Sequence, residues 1–198
     1  MTSPLDERDA LTGLLSWRAG MAVLPTSLEH NEQVALLFCE VDRLFTFDAE
    51  LGHERSDTEL RRIARDLERI CALYPVYGFG GGAFFIILPE HSLEQARDVA
   101  ERILASQPPL LVLHEGVRWV ETLTLSIGFA LFPTHALSAE NLLRAADVAL
   151  MKAKEGGRLP DGTSYSGRNR AVAWGDFLDE FPQQSAEFLN PEWLLPTP

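Results

Sequence analysis

Positive charge, cysteine and long apolar runs are what this chain has little of, and each shortage closes a class of function. Its 17 Lys and Arg stand against 29 acidic residues, a formal net charge of −12. A phosphate polymer or an anionic membrane surface is repelled by such a field, so no broad binding to nucleic acid or lipid is expected and any nucleotide site must be local. The longest apolar stretches, such as residues 34–39 and 84–88, fall far short of the roughly 20 residues that cross a bilayer. The opening MTSPLDERDA has no apolar signal core, and a cytoplasmic location is expected. The two cysteines, Cys39 in an expected strand and Cys71 in an expected helix, lack paired metal spacing and read as reduced core thiols.

What is present suits a globular domain. Over 198 residues, 46% are apolar and 23% charged, enough to bury one sizeable core. The chain is organised around YGFGGGAFFIILP at 77–89. It reads as a strand, a turn at Gly80-Gly81-Gly82 and a returning strand from Phe84 to Leu88 that is apolar on both faces and must be covered on both. A glycine turn of this kind either simply closes a tight hairpin or lets the backbone approach a phosphate.

Ahead of it, Thr12-Gly13 reads as a turn before a short helix from Trp17 that Pro25 ends or kinks. VALLFCEV at 34–41 is a core strand, with Glu40 and Asp42 pointing the same way at its C-terminal end. Two carboxylates there are either a shelf for a divalent metal or an exposed strand end. Ser56 with Glu59 reads as a capping box opening the longest helix, with Leu60, Ile63, Ala64, Leu67 and Ile70 as its apolar stripe. Ser92 caps a further helix to about Ser106. Residues 110–113 and 119–132 read as two strands around the turn His114-Glu115-Gly116, and Ser138 caps a last helix ending in Lys152, Lys154 and a Gly156-Gly157 stop. Residues 169–174 suit one more edge strand. Strand, helix, hairpin, helix, strands, helix, with the helices on one side, describes a ferredoxin-like α/β sandwich around a mostly antiparallel sheet. From Gly175 the composition turns acidic, aromatic and proline-rich without a period. The chain therefore divides into a domain at 1–174 and a tail at 175–198 that the core fold does not require.

The motifs fall in the order of one family. DALTGLLSWR resembles D-x-L-T-G-L-x-N-R-R, and EVDRLFTFDAELGHERSDTEL resembles D-x-D-x-F-K-x-x-N-D-x-x-G-H-x-x-G-D-x-x-L. GFGGGAFFIILP stands where R-Y-G-G-D-E-F belongs, LSIGFALFP is similar to the S-I-G-V-A strand, and AADVALMKAKEGGR is similar to A-D-x-A-L-Y-x-A-K-x-x-G-R. Residues 9–174 thus resemble the GGDEF domain of the diguanylate cyclases, with their nucleotidyl-cyclase, palm-like fold. That resemblance implies two domains meeting face to face, each with a GTP on its hairpin, and metal-assisted phosphoryl transfer to cyclic di-GMP. It places one metal carboxylate at Glu40 with the Val41 carbonyl beside it, and Asp42 in the same motif.

The signature, however, reads Gly80, Gly81, Gly82, Ala83, Phe84. Gly82 stands where the second metal carboxylate belongs and Ala83 where the family glutamate belongs. The family Lys falls on Phe45, the Arg before the signature on Gly78, and the guanine-binding Asn on Asp48. The product-inhibition motif R-x-x-D falls on residues 71–74 and is lost. Asp57 matches a guanine contact and Lys154 and Arg158 match phosphate contacts, although each also suits a helix terminus electrostatically. GRNRAVAW at 167–174 also resembles the family's closing G-R-N-R-V, which leaves Arg158 and Arg168 as alternatives and 159–166 as an insertion.

The resemblance and its departures together imply an inactive GGDEF-type regulatory module that works through a protein partner, with no cofactor expected and Mg²⁺ only if nucleotide binding survives. A sensor that binds GTP or cyclic di-GMP without turnover is the alternative, and a working cyclase with a displaced metal ligand is the third. Partner identity and a homodimer stay open.

Overall fold

The computed structural model describes residues 3–108, 110–114, 117–121, 123–155, 157–158, 164–165 and 167–176, with 110–114, 117–121, 157–158 and 164–165 as backbone. The expected tail beyond Asp176, Gly156, the turn residues Glu115 and Gly116, and most of the expected insertion at 159–166 lie outside the described residues. In chain order the elements are β1 (Leu15–Ser16), α1 (Trp17–His30), β2 (Val34–Val41), α2 (Leu44–Leu51), α3 (His53–Ile70), β3 (Val76–Gly80), β4 (Ala83–Pro89), α4 (Leu93–Ala105), β5 (Leu110–His114), β6 (Val117–Glu121), β7 (Leu125–Phe132), α5 (Ala139–Lys154), β8 (Gly157–Arg158), β9 (Ser164–Tyr165) and β10 (Ala171–Ala173).

Six strands form the central sheet in the order β1-β3-β4-β2-β7-β10. The inner pairs β3–β4, β4–β2 and β2–β7 are antiparallel, while β1 and β10 join the two edges in parallel. Strand β2 is apolar on both faces because it is central. Ala35, Leu37, Cys39 and Val41 enter one core with Leu60, Ile63, Ala64 and Leu67 of α3 and Ala96, Val99, Ala100 and Ile103 of α4. Val34, Leu36 and Phe38 enter the other with Ala19 and Leu24 of α1 and the alanine-rich face of α5. Helices therefore cover both sides of the sheet, not one as the element order suggested. Strands with no polar face, β2 and β4 among them, leave no side that can be given to water.

Four more expectations give way. Helix α1 continues through Pro25 to His30, since Leu24 is fully buried and Val23 and Leu28 pack on the same core on either side of the exposed proline. Helix α3 begins at His53, not at a Ser56 cap. Gly52, at φ 83°, links α2 directly to α3, and Ser56 is buried inside the helix with its hydroxyl donating to the Gly52 carbonyl at 3.4 Å. Glu59 is buried too, paired with Arg55 at 3.3 Å and Arg62 at 2.8 Å, and makes no capping box. Helix α2 was not foreseen: LFTFDAEL has no side-chain cap and buries only Phe47, so no periodic stripe marks it. Finally, residues 110–132 form three strands, with β5 and β6 pairing apart as a two-stranded sheet and β7 alone joining β2.

The remaining elements agree with the sequence. Ser92 caps α4 in a full capping box with Gln95, Ser138 caps α5, and β10 is the extra edge strand. Both cysteines are free and buried; burial pushes the Cys39 thiol up strongly and the Cys71 thiol to about 11, which keeps them protonated and unreactive. The described chain runs through Asp176, which accepts a hydrogen bond from the Ala173 amide at 2.9 Å and pairs with Arg97 at 2.7 Å.

Helix α5 packs closely on β7. Ala145, Ala146, Ala149 and Ala153 let the helix settle onto the sheet, and a Cβ added at Gly128 of β7 would lie 2.0 Å from the Leu150 amide nitrogen and 2.1 Å from the Ala146 carbonyl oxygen. Backbone cannot yield as a side chain can. Gly128→Ala is therefore expected to lower stability by ~3 kcal/mol or more, read as a fall in the thermal midpoint. An unchanged midpoint would show that α5 stands further from β7 than described.

Candidate functional site

The C-terminal ends of β2 and α5, the β3–β4 tip and the start of α3 converge on a cleft of about 560 Å³ lined by Leu11, Glu40, Val41, Arg43, Leu44, Phe45, Asp48, His53, Ser56, Asp57, Leu60, Gly81, Lys154 and Arg168. Of the site residues legible in the sequence, Glu40, Val41, Phe45, Asp48, Asp57, Gly81, Lys154 and Arg168 line it, whereas Gly78, Gly80, Gly82, Ala83 and Phe84 are not among its lining residues and Asp42 lines a neighbouring hollow. The glycine tip shapes one wall: Gly80, Gly81 and Gly82 all have positive φ, and the Gly82 carbonyl accepts the Val41 amide at 2.9 Å. A Cβ at Gly82, whose φ is +82°, would lie 2.6 Å from Leu44 Cδ2, with Val41 and Leu60 close behind. That position looks at an apolar wall, and its left-handed backbone disfavours any side chain. Gly78 abuts the Asp9–Thr12 turn, where an added Cβ would lie 3.0 Å from Asp9 Cβ. Ala83 faces Glu40 across the β2–β4 ladder.

The two β2 acids point the same way but do different things, and neither expectation for them holds. Asp42 is buried, not solvent-exposed at a strand end. Its Oδ2 accepts from Thr124 Oγ1 at 2.6 Å and from the Asn169 amide at 3.0 Å, its Oδ1 accepts from Ser126 Oγ at 2.7 Å, and the Arg168 guanidinium lies 4.0 Å away. A carboxylate so saturated belongs to the framework. Glu40, one third exposed, gives Oε1 to the Lys154 ammonium at 2.5 Å. Asp147, half-buried on the same side of α5, feels both: burial first and Glu40 second raise its carboxyl above the usual range, and Lys154 opposes them.

The rest of the cleft is mixed in character. Asp48 pairs with exposed His53 at 2.7 Å, and Asp57 with Arg61 at 3.5 Å. Asp57 sits in the second turn of α3, so its reading as a first-turn acid falls together with the Ser56 cap. Phe45, in the position of the family lysine, is 86% exposed at the mouth. Arg168 is brought beside Lys154 by its own amide, which donates to the Ala153 carbonyl at 2.7 Å. Arg158 lies in the β8–β9 hairpin, and its side chain lies outside the described residues. Sequence reasoning missed Arg43 and Asp147. Asp147 stands at the Asp of the quoted A-D-x-A-L stretch, whereas Arg43 falls on a variable position of the D-x-D-x-F motif, which gave no signal for it.

The divalent metal that the resemblance implies does not fit these residues. Glu40 already has an ammonium as its counter-charge, Asp42 has its hydrogen-bond capacity spent on the framework, and Gly82 presents hydrocarbon where a second ligand would stand. Among the described residues no three His, Cys, Asp or Glu side chains converge, and no helix is long and apolar enough to cross a membrane.

A family model described as diguanylate cyclase, GGDEF domain, matches residues 7–159. Diguanylate cyclase TpbB of Pseudomonas aeruginosa is 37% identical over 132 residues, covering 66% of this chain; the chain spans only 30% of the length of that relative. The solved GGDEF domain of the same Pseudomonas protein superimposes with a TM-score of 0.74 at 30% identity, covering 89% of this chain and 99% of that one. Diguanylate cyclase SiaD of Pseudomonas aeruginosa, solved in complex with its activator SiaC, superimposes with a TM-score of 0.68 at 26% identity, covering 84% and 61%.

Replacing Asp42 by Ala strands two hydroxyls and an amide around a small void. Asp42→Ala is expected to cost ~3 kcal/mol of stability, seen as a lower denaturant midpoint at unchanged slope. A loss below ~1 kcal/mol would mean that water satisfies those donors as well as the carboxylate does.

Proposed function

Since this chain belongs to the GGDEF, or diguanylate cyclase, family, we propose that it is a degenerate member that does not make cyclic di-GMP and serves bacterial cyclic di-GMP signalling as a cytoplasmic regulatory module that binds another protein. The observation that carries the reading is the Gly82 position, where the signature's metal carboxylate is replaced by a left-handed glycine against Leu44. Groups that act only on the developing charge of a reaction are typically worth ~10²- to 10³-fold each in rate. Gly82 and Ala83 remove two of them, and Phe45 and Gly78 remove charge from the positions that would meet phosphate. The same replacements favour a protein partner. Phe45, where the family motif carries a lysine, is almost fully exposed, and the partly exposed Phe79 ring, beside the tip, contacts Trp17, where the motif carries an arginine, and buried Phe38 at 5.4 Å each, leaving an aromatic surface at the tip. SiaD, with its activator SiaC, is a family precedent for a protein partner.

A second reading has its own support. Asp57, Lys154 and Arg168 line one cleft large enough for a nucleotide, which suits a sensor that holds GTP or cyclic di-GMP without turning it over. Titration of the two nucleotides separates it from the first reading.

Incubation of the protein with GTP and Mg²⁺ or Mn²⁺ is expected to give no cyclic di-GMP by chromatography. The double substitution Gly82→Asp, Ala83→Glu is expected to leave turnover far below that of an ordinary cyclase and to lower the melting temperature, because the new Cβ at position 82 must push Leu44 aside at an unfavourable φ. Product above a no-enzyme control from the unaltered chain would overturn the proposal.

A further inference from the structure

Lys154 is one of only two lysines in the chain, and it ends α5 with its Nζ 2.5 Å from Glu40 Oε1. Its neighbour on the same side of the helix, two turns back, is Asp147, whose carboxyl is pushed up by burial and by Glu40 and held down by Lys154. The ammonium is thus the direct partner of Glu40 at the end of β2, and Asp147 on α5 feels the charges of both. A divalent ion in this place would neutralise the same charge, but it would have to shed water to do so and would then sit against the displaced ammonium. It would also lack a partner across the cleft, since position 82 presents Leu44, Val41 and Leu60. Arg43 and Arg168 line the same cleft and add to the positive field.

We infer that Lys154 replaces the divalent cation as the counter-charge of Glu40, so that this cleft is a metal-independent site that excludes Mg²⁺ and Mn²⁺. The inference deepens the reading of a member without turnover and rests on it only in that Gly82 supplies no second ligand. A consequence for any anionic ligand follows from charge alone. Its phosphate or carboxylate is met by Lys154, Arg168 and Arg43, and shares with Glu40 the three N–H donors of one ammonium.

The test is direct titration of the full chain with Mn²⁺, following free Mn²⁺ by electron paramagnetic resonance, with no nucleotide present. The unaltered protein is expected to remove no stoichiometric Mn²⁺ from solution. Lys154→Met, which leaves Glu40 and Asp147 without their cation, is expected to gain one saturable site, and Glu40→Gln in that background to lose it again. If Lys154→Met does not fold, Lys154→Gln carries the same arm. One equivalent of Mn²⁺ bound by the unaltered chain and lost in Glu40→Gln overturns the inference, and with no cyclic di-GMP formed it does so while the proposed function stands. Absence of a gained site in both Lys154 variants also overturns it, because the apolar wall at Gly82 would then suffice to exclude metal without the lysine.

Discussion

The buried carboxylate of Asp42 is the constraint on which the site depends. It lies where three stretches of chain must be held together: the end of β2, the start of β7 at Thr124 and Ser126, and the segment at 167–170 that returns after α5. Backbone bonds reinforce it, from the Asp42 amide to the Thr124 carbonyl and from the Ile127 amide to the Arg170 carbonyl. A charged group in a low-dielectric setting is tolerated only when its lone pairs are filled, and once filled it fixes its donors in place. Because Asp42 holds β2 against β7, Glu40 two residues earlier is fixed on the α5 side, within reach of Lys154. Because it also holds the Asn169 amide, Arg168 is turned over the cleft.

On that framework the cleft departs from the family motifs at a small number of positions that agree with one another. The glycine tip keeps its hairpin geometry and its bond to Val41, so the shape of the cleft persists. Leu44 fills the space beside Gly82, Phe45 is presented to solvent, and the Trp17–Phe79–Phe38 cluster extends the apolar surface past the tip. Within the cleft Lys154 pairs with Glu40, and the His53 ring nitrogen lies 2.7 Å from the Asp48 carboxylate. On the proposed reading, a cleft whose Glu40 is already paired has less to gain from a metal, and its apolar rim gains more from a protein surface.

Most of the architecture was legible in the sequence because it is written in patterns of burial. The hairpin at 77–89, β2, the capped helices α4 and α5, the apolar stripe of α3 and the edge strand β10 all follow from periodicity and turn chemistry. What was not legible depends on tertiary context. Ser56 and Glu59 have the spacing of a capping box, but Gly52 starts the helix earlier and buries both. Pro25 would end an isolated helix, but the packing of Leu24 and Leu28 carries α1 past it. Asp42 and Glu40 look alike in sequence, and only the placement of Thr124, Ser126 and Asn169, more than 80 residues away, separates a framework acid from a site acid. Family motifs located several of the cleft residues, and of the two candidate arginines Arg168 lines the cleft, while the Arg158 side chain lies outside the described residues.

The central claim is that the cleft supplies its own counter-charge and has no use for a divalent ion. Calorimetric titration of GTP into the protein, once with Mg²⁺ and once with a chelator, measures this most directly. The same affinity in both, or no binding in either, is the expected result. Tightening by Mg²⁺ of about tenfold, ~1.4 kcal/mol, would contradict it.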